Sequence, residues 1–140
     1  HIKSTSLSLN FFDNSTKDFT LKASSLNDLF KESDFISLHV PAQKKYVISD
    51  KEFSKMKKGV GLINAARGGV LDEKALLKNI SENKVLFAAL DTFENEPNPS
   101  VKILMNQNIS LTPHIGAATK EAQKRIGIEL ADQIIEIYSS

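Results

Sequence analysis

Apolar residues along this chain arrive in short runs, and stretches with helical spacing separate them. Five runs read as strands: SLSLNFFD (6–13), DFISLHV (34–40), VGLINAA (60–66), VLFAALD (85–91) and ISLTP (109–113). Their near-continuous apolar character is what strands covered on both faces require. Between them the period changes. Ser49-Asp50-Lys51-Glu52 makes a capping-box pattern ahead of FSKMKK. Asp72 is placed to cap EKALLKNISEN, with its acid at the positive end of the helix dipole. Thr119 opens TKEAQKRIGIELADQIIEIY, in which Ala122, Ile126, Leu130, Ala131, Ile134 and Tyr138 share one face. Strands alternating with helices predict βαβ units: an α/β fold with a parallel sheet, right-handed crossovers and helices on both faces. The block NSTKDFTLKASS (14–25) matches neither period, and no repeat, low-complexity tract or linker divides the chain.

Composition narrows the function classes. At 140 residues the chain is about one domain long and can bury a core. A net charge of +1, with no basic run interleaved with aromatics, argues against a dedicated nucleic-acid binder. No apolar run approaches the length of a membrane span and no signal-peptide pattern opens the chain, so a cytoplasmic location is expected. Cysteine is absent and the three histidines are widely spaced, which leaves no expected metal site.

The unusual chemistry collects at one predicted edge. All six glycines lie at or beyond Gly59, and Pro41, Pro97 and Pro113 fall at or just past predicted strand ends. Ligands of open α/β sheets bind outside the carboxyl ends of the strands, and there the sequence places His39, Arg67, Asp91, Glu94, Glu96 and His114. Arg67 closes an apolar run in a chain that otherwise carries positive charge almost wholly on lysine. A strand-end arginine ordinarily reaches water or a nearby carboxylate. Gly68 and Gly69 change that expectation, because they let a ligand approach bare backbone beside a bidentate guanidinium. His114 follows Pro113 at a strand exit, so its imidazole is aimed at the cleft, where it can exchange a proton with a substrate oxygen. A carboxylate would fix its tautomer, and both Glu94 and Glu96 are candidates.

The ordered set SLHVP, MKKGVGLINAARGGVLDEKAL, FAALDTFENEP and LTPHIGAATKEAQKRIGIELADQI resembles the D-isomer-specific 2-hydroxyacid dehydrogenases. PHIGAATKEAQ is most similar to the D-3-phosphoglycerate dehydrogenase branch, which implies a place in serine biosynthesis. The resemblance runs from about Asp13 to the end and implies a Rossmann-like fold, NAD as cofactor and hydride transfer at C2 of a 2-hydroxy acid, 3-phospho-D-glycerate first among them. It makes Arg67 the substrate-carboxylate arginine, His114 the general acid/base, and Glu96 rather than Glu94 the acid that orients the imidazole. For the cofactor it implies that Asp13, at the end of a sheet strand, accepts from the ribose hydroxyls. Val40 and Pro41 would lie along the adenosine, and Ala65, Ala66 and Arg67 along the nicotinamide. Asp91 would meet the carboxamide, while His114, Ile115, Gly116 and Ala117 close over the ring. A corepressor-type NAD(H) sensor, or an inactive remnant of the same fold, would keep the same residues.

The sequence also departs from the pattern. No glycine precedes Gly59, so the phosphate-cradling GxGxxG loop is missing, and in the opening HIK, which resembles the end of that loop, Lys3 stands where the third glycine belongs. The expectation is therefore a partial, N-terminally truncated NAD-binding domain over 1–140, without the first strand, the glycine loop or a substrate domain. Alone it should bind NAD weakly and turn over little substrate. Exposed apolar surface should favour self-association, and a homo-oligomer is expected.

Overall fold

The chain opens with a hairpin in the computed structural model, which describes residues 4–139. The HIK segment read against the glycine loop lies outside the described residues. Strand β1 (Ser4–Asn10) pairs antiparallel with β2 (Thr16–Lys22), and neither joins another sheet. This corrects the 6–13 reading, in which a single run led into the parallel sheet. The undecided block 14–25 supplies the partner strand instead. Facing residues of an antiparallel pair share a side, so Leu7 lies over Phe19 while Ser8 donates to Asp18 on the other face.

Next come α1 (Leu26–Glu32), β3 (Phe35–Leu38), α2 (Asp50–Phe53), β4 (Val60–Asn64), α3 (Glu73–Ser81), β5 (Val85–Leu90), α4 (Val101–Leu104), β6 (Ile109–Leu111) and α5 (Lys120–Tyr138). Strands β3 to β6 form the expected Rossmann-like parallel sheet in the order β3-β4-β5-β6. The caps match the sequence. Asp72 accepts from the Lys74 and Ala75 amides, Thr119 accepts from Ala122, and Glu52 reaches back to Ser49. FSKMKK stays helical only to Phe53, because Gly59 at φ 84° must turn the chain into β4.

Consecutive strands added in one direction bring their crossover elements to one side of the sheet. Ile36, Leu38, Leu62, Ala88 and Leu90 point into the core, where Phe30, Phe53, Leu76 and Ile103 of the four shorter helices meet them. The opposite face exposes Phe35, Ile63 and Phe87. Described helices therefore cover one face rather than both. On the open face Phe35 and Phe87 pack with ring centroids 5.9 Å apart. They do so over Gly61, where a Cβ would stand 2.6 Å from the Phe87 ring. The shared face of α5 is likewise uncovered: Ala122 is buried, but Ile126, Leu130, Ile134 and Tyr138 are exposed. No helix among the described residues is long and apolar enough to cross a membrane.

Candidate active site

Each parallel strand delivers one piece of chemistry to its carboxyl end. At the exit of β4, Asn64 is buried and steers the turn: its carbonyl accepts from the Ala66 amide while its amide donates to the Arg67 carbonyl at 3.3 Å. Arg67 itself is exposed. One of its terminal nitrogens donates to the Ala66 carbonyl at 2.7 Å, and no carboxylate of the described residues pairs with the guanidinium. Most of its donor fork is left for a ligand.

The two glycines behind Arg67 do different jobs. Gly69 has φ 74°, a conformation that needs glycine, and the space around its missing Cβ is open. At Gly68 an added Cβ would lie 1.9 Å from the Phe93 carbonyl oxygen. The bare backbone there is required by the chain's own Phe93–Glu94 segment. This corrects the expectation of a ligand at that wall, and it explains how the arginine turn comes to rest against the loop carrying Glu96.

After β6 the chain turns sharply. His114 adopts φ 53°, unusual for a residue with a side chain, and such strain persists where surrounding contacts over-determine it. Here Asp91 supplies those contacts. Its Oδ1 accepts from the Thr112 hydroxyl at 2.6 Å and the Ile115 amide at 2.9 Å, and its Oδ2 from the Gly116 amide at 3.0 Å. The imidazole then meets Glu96, with Nδ1 2.7 Å from Oε2. The second Glu96 oxygen accepts from the Phe93 amide at 2.8 Å, so the carboxylate is itself held in place. Glu96 is thus the partner of His114, as the resemblance implied. Glu94 is engaged elsewhere, with Glu73 at the start of α3.

The electrostatics follow from these contacts. The bond to His114, aided by the Phe93 amide, holds the Glu96 carboxyl below its ordinary value. Burial pushes Asp91 up, but the Thr112 hydroxyl, the Ile115 and Gly116 amides and the His114 charge outweigh it, and the net shift is downward. Burial raises Glu73, against the Glu94 amide that stabilises its charge. Lowered carboxylates contribute stability that is complete above their unfolded values of 3.8 and 4.5 and is lost as pH falls through the folded ones. Glu73 runs the other way, losing its contribution as pH rises through its raised value. Acid should therefore release the 112–116 turn at a pH below 3.8. Amide chemical shifts of Ile115 and Gly116 report it directly, and a midpoint at or above the ordinary aspartate value would contradict the Asp91 clamp.

Two hollows flank these groups. A cleft of about 510 Å³ runs beside the His114–Glu96 pair, walled by Phe93, Pro97, Pro99, Leu104 and Pro113. A smaller hollow of about 220 Å³ lies at the ends of β4 to β6, with small residues Ala65, Ala89 and Ser110 and the polar Asn64, Asp91 and Thr112 along it. Small side chains across three strands leave a shelf for a flat ring, and Asp91 with the neighbouring backbone offers partners for an amide. These residues fit the nicotinamide end of NAD. Val40, partly buried against the core, and exposed Pro41 lie just beyond β3. Asp13 is not brought to this edge. It sits in the hairpin turn, where its Oδ1 accepts from the Ser15 amide and hydroxyl. The run ends at Asn10 because Asn14, at φ 63°, reverses the chain into β2.

Sequence reasoning missed Asn64, Gly68 as a docking point, Thr112 and Glu73. Asn64 carried a signal, being a polar residue inside the apolar run VGLINAA. Thr112 and Glu73 carried none, because a threonine at a strand end and an acid in a first helical turn are ordinary.

Residues 5–116 match the family described as D-isomer specific 2-hydroxyacid dehydrogenase, NAD binding domain. Hydroxypyruvate reductase of Thermotoga maritima is 47% identical over 124 residues, covering 85% of this chain and 40% of that protein. D-3-phosphoglycerate dehydrogenase 2, chloroplastic, of Arabidopsis thaliana is 47% identical over 114 residues, covering 79% of this chain and 18% of that protein. A glyoxylate reductase crystal structure from Paecilomyes thermophila superposes with a TM-score of 0.71 at 39% identity, covering 76% of this chain and 33% of that one. The chain thus spans less than half the length of these relatives. With the match running through the β4 turn, the Asp91–Glu96 loop and His114, this chain belongs to the D-isomer specific 2-hydroxyacid dehydrogenase family and carries its NAD-binding domain.

Proposed function

We propose that these residues form the NAD side of a D-2-hydroxyacid dehydrogenase site, with 3-phospho-D-glycerate as the substrate. NAD, when bound, supplies the acceptor or donor of the hydride exchanged with C2. The chain's own groups do the rest. Arg67 takes the substrate carboxylate in a bidentate grip and polarises the C2 oxygen. Glu96 fixes a proton on His114 Nδ1, which leaves Nε2 as the base for the hydroxyl proton during oxidation and its donor during reduction. Glu96 also stabilises the imidazolium formed in the first direction. Ala65, Ala66 and Arg67 offer backbone to the nicotinamide, Asp91 meets the carboxamide, and His114, Ile115, Gly116 and Ala117 close over the ring. Val40 and Pro41 serve the adenosine side. The observation that carries this reading is the 2.7 Å His114–Glu96 pair on the same rim as an arginine that no carboxylate of the described residues pairs with.

The 3-phosphoglycerate assignment draws on PHIGAATKEAQ and on the name of the Arabidopsis relative, and with it we propose a role in serine biosynthesis, a cytoplasmic location and a homo-oligomer. A chimera tests the reading: residues 5–116 replace the matching segment of the Thermotoga hydroxypyruvate reductase. The chimera should reduce 2-oxo acids with NADH, while the 140-residue chain alone shows weak NAD binding and little turnover. A folded chimera without NADH oxidation on either hydroxypyruvate or its phosphorylated form would overturn the proposal.

A further inference from the structure

Outside the reacting groups, two acids tie the rim together. Glu73, the first residue of α3, is buried at 5% exposure. One of its carboxylate oxygens accepts from the Glu94 amide at 2.8 Å, while its own amide donates to a Glu94 carboxylate oxygen at 2.9 Å. Each residue gives a backbone donor and takes one back, across 21 positions of chain. The bond to Glu94 satisfies one of the orphan donors at the start of α3. Bonds from an amide to a carboxylate are also stronger than neutral ones.

Placement gives the bridge its significance. Glu73 follows the turn carrying Arg67, and the intervening Val70 and Leu71 are locked in the core. Glu94 stands two residues before Glu96. The same two segments touch at Gly68 and Phe93. The arginine turn is thus held to the glutamate loop at both its ends, once by close backbone contact and once by the reciprocal bridge. Tyr46 faces the bridge as well; the Glu94 charge is the main reason its hydroxyl titrates above the ordinary tyrosine range.

We propose that Glu73 and Glu94 are positioning residues of the site, fixing the turn that carries Arg67 against the loop that carries Glu96 and so setting guanidinium and imidazole on one substrate. The benefit to substrate rests on the dehydrogenase reading; the mechanical coupling does not. What the bridge needs is a carbonyl-type acceptor at each residue, so glutamine should substitute for either acid.

The test uses the whole chain with Glu94→Ala, Glu94→Gln and Glu73→Gln, and with Ile80→Val as a control that loosens α3 away from the bridge. Carbon-13 NMR follows the Glu96 carboxyl titration, hydrogen exchange follows the Phe93 amide against Leu90, and the same variants placed in the chimera are probed for oxamate binding in the presence of NADH. Glu94→Ala should move the Glu96 midpoint up toward 4.5. It should also speed Phe93 exchange about tenfold relative to Leu90 and weaken oxamate by about tenfold or more. Both glutamine variants and the control should resemble the parent. An unchanged Glu96 midpoint in Glu94→Ala, or a Glu94→Gln variant as damaged as Glu94→Ala, overturns the proposal. Local effects of the expected size in the chain, together with a chimera that never binds oxamate, would uphold the positioning role and remove the dehydrogenase reading.

Discussion

His114→Gln in the chimeric enzyme should lower kcat by a factor of about 10²–10⁴, the usual worth of a positioned general acid/base. The chimera should remain folded, because the imidazole is 43% exposed and its contact is with a surface carboxylate. Glutamine can keep a hydrogen bond to Glu96, yet it cannot hold a mobile proton. The loss therefore belongs to proton transfer and falls on kcat more than on KM. Glu96→Gln should cost less, because His114 stays in place while its tautomer and charge lose support. The pH profile separates the two: the limb set by the imidazole vanishes in the first variant and moves in the second. Stopped-flow NADH oxidation across pH makes the measurement. A His114→Gln enzyme within threefold of the parent, at saturating substrate, would leave the proton to some other group.

Gly68→Ala should destabilise the chain by about 2–4 kcal/mol, in the range of forced overpacking against rigid neighbours. The new methyl would stand 1.9 Å from the Phe93 carbonyl oxygen and 2.7 Å from its carbon. Both are backbone atoms, so no rotamer change relieves the clash, and the turn must part from the loop. Gly69→Ala is the informative contrast. Its φ of 74° is unfavourable for alanine, at about 1 kcal/mol, but nothing lies within 4 Å of the added carbon. Urea midpoints of the two variants decide the matter. Equal costs would mean that Gly68 is needed for its torsions, not for the close approach that joins Arg67's turn to the Glu96 loop.

Much of the fold was legible because strand and helix periods are local properties. The runs at 34–40, 60–66, 85–91 and 109–113 each became a strand, trimmed by one or more residues. The Asp72 and Thr119 caps appeared as expected, since a capping side chain reaches only three residues ahead. The first run failed for a long-range reason. SLSLNFFD is equally apolar whether its neighbour is a parallel core strand or TKDFTLK, and only pairing decides. The open face of the sheet was hidden for a related reason: Phe35, Ile63 and Phe87 look as core-like in sequence as the buried residues beside them. Arg67, Asp91, Glu96 and His114 stand past the strand ends where motif order put them, whereas Asp13 lies in a hairpin turn because its strand pairs elsewhere.

By itself the sequence determined the parallel α/β pattern, the helix starts and the residue types that gather where strands end, because each depends on neighbours a few positions away. Only the tertiary structure decided what Gly68 must avoid, why Asp91 and Glu73 hold the rim, and which sheet face stays uncovered. Those outcomes depend on atoms brought within 3 Å across some 20 positions of chain. Local propensity carries no information about such contacts, because a carboxylate's partner is set by where the backbone returns and not by what stands beside it.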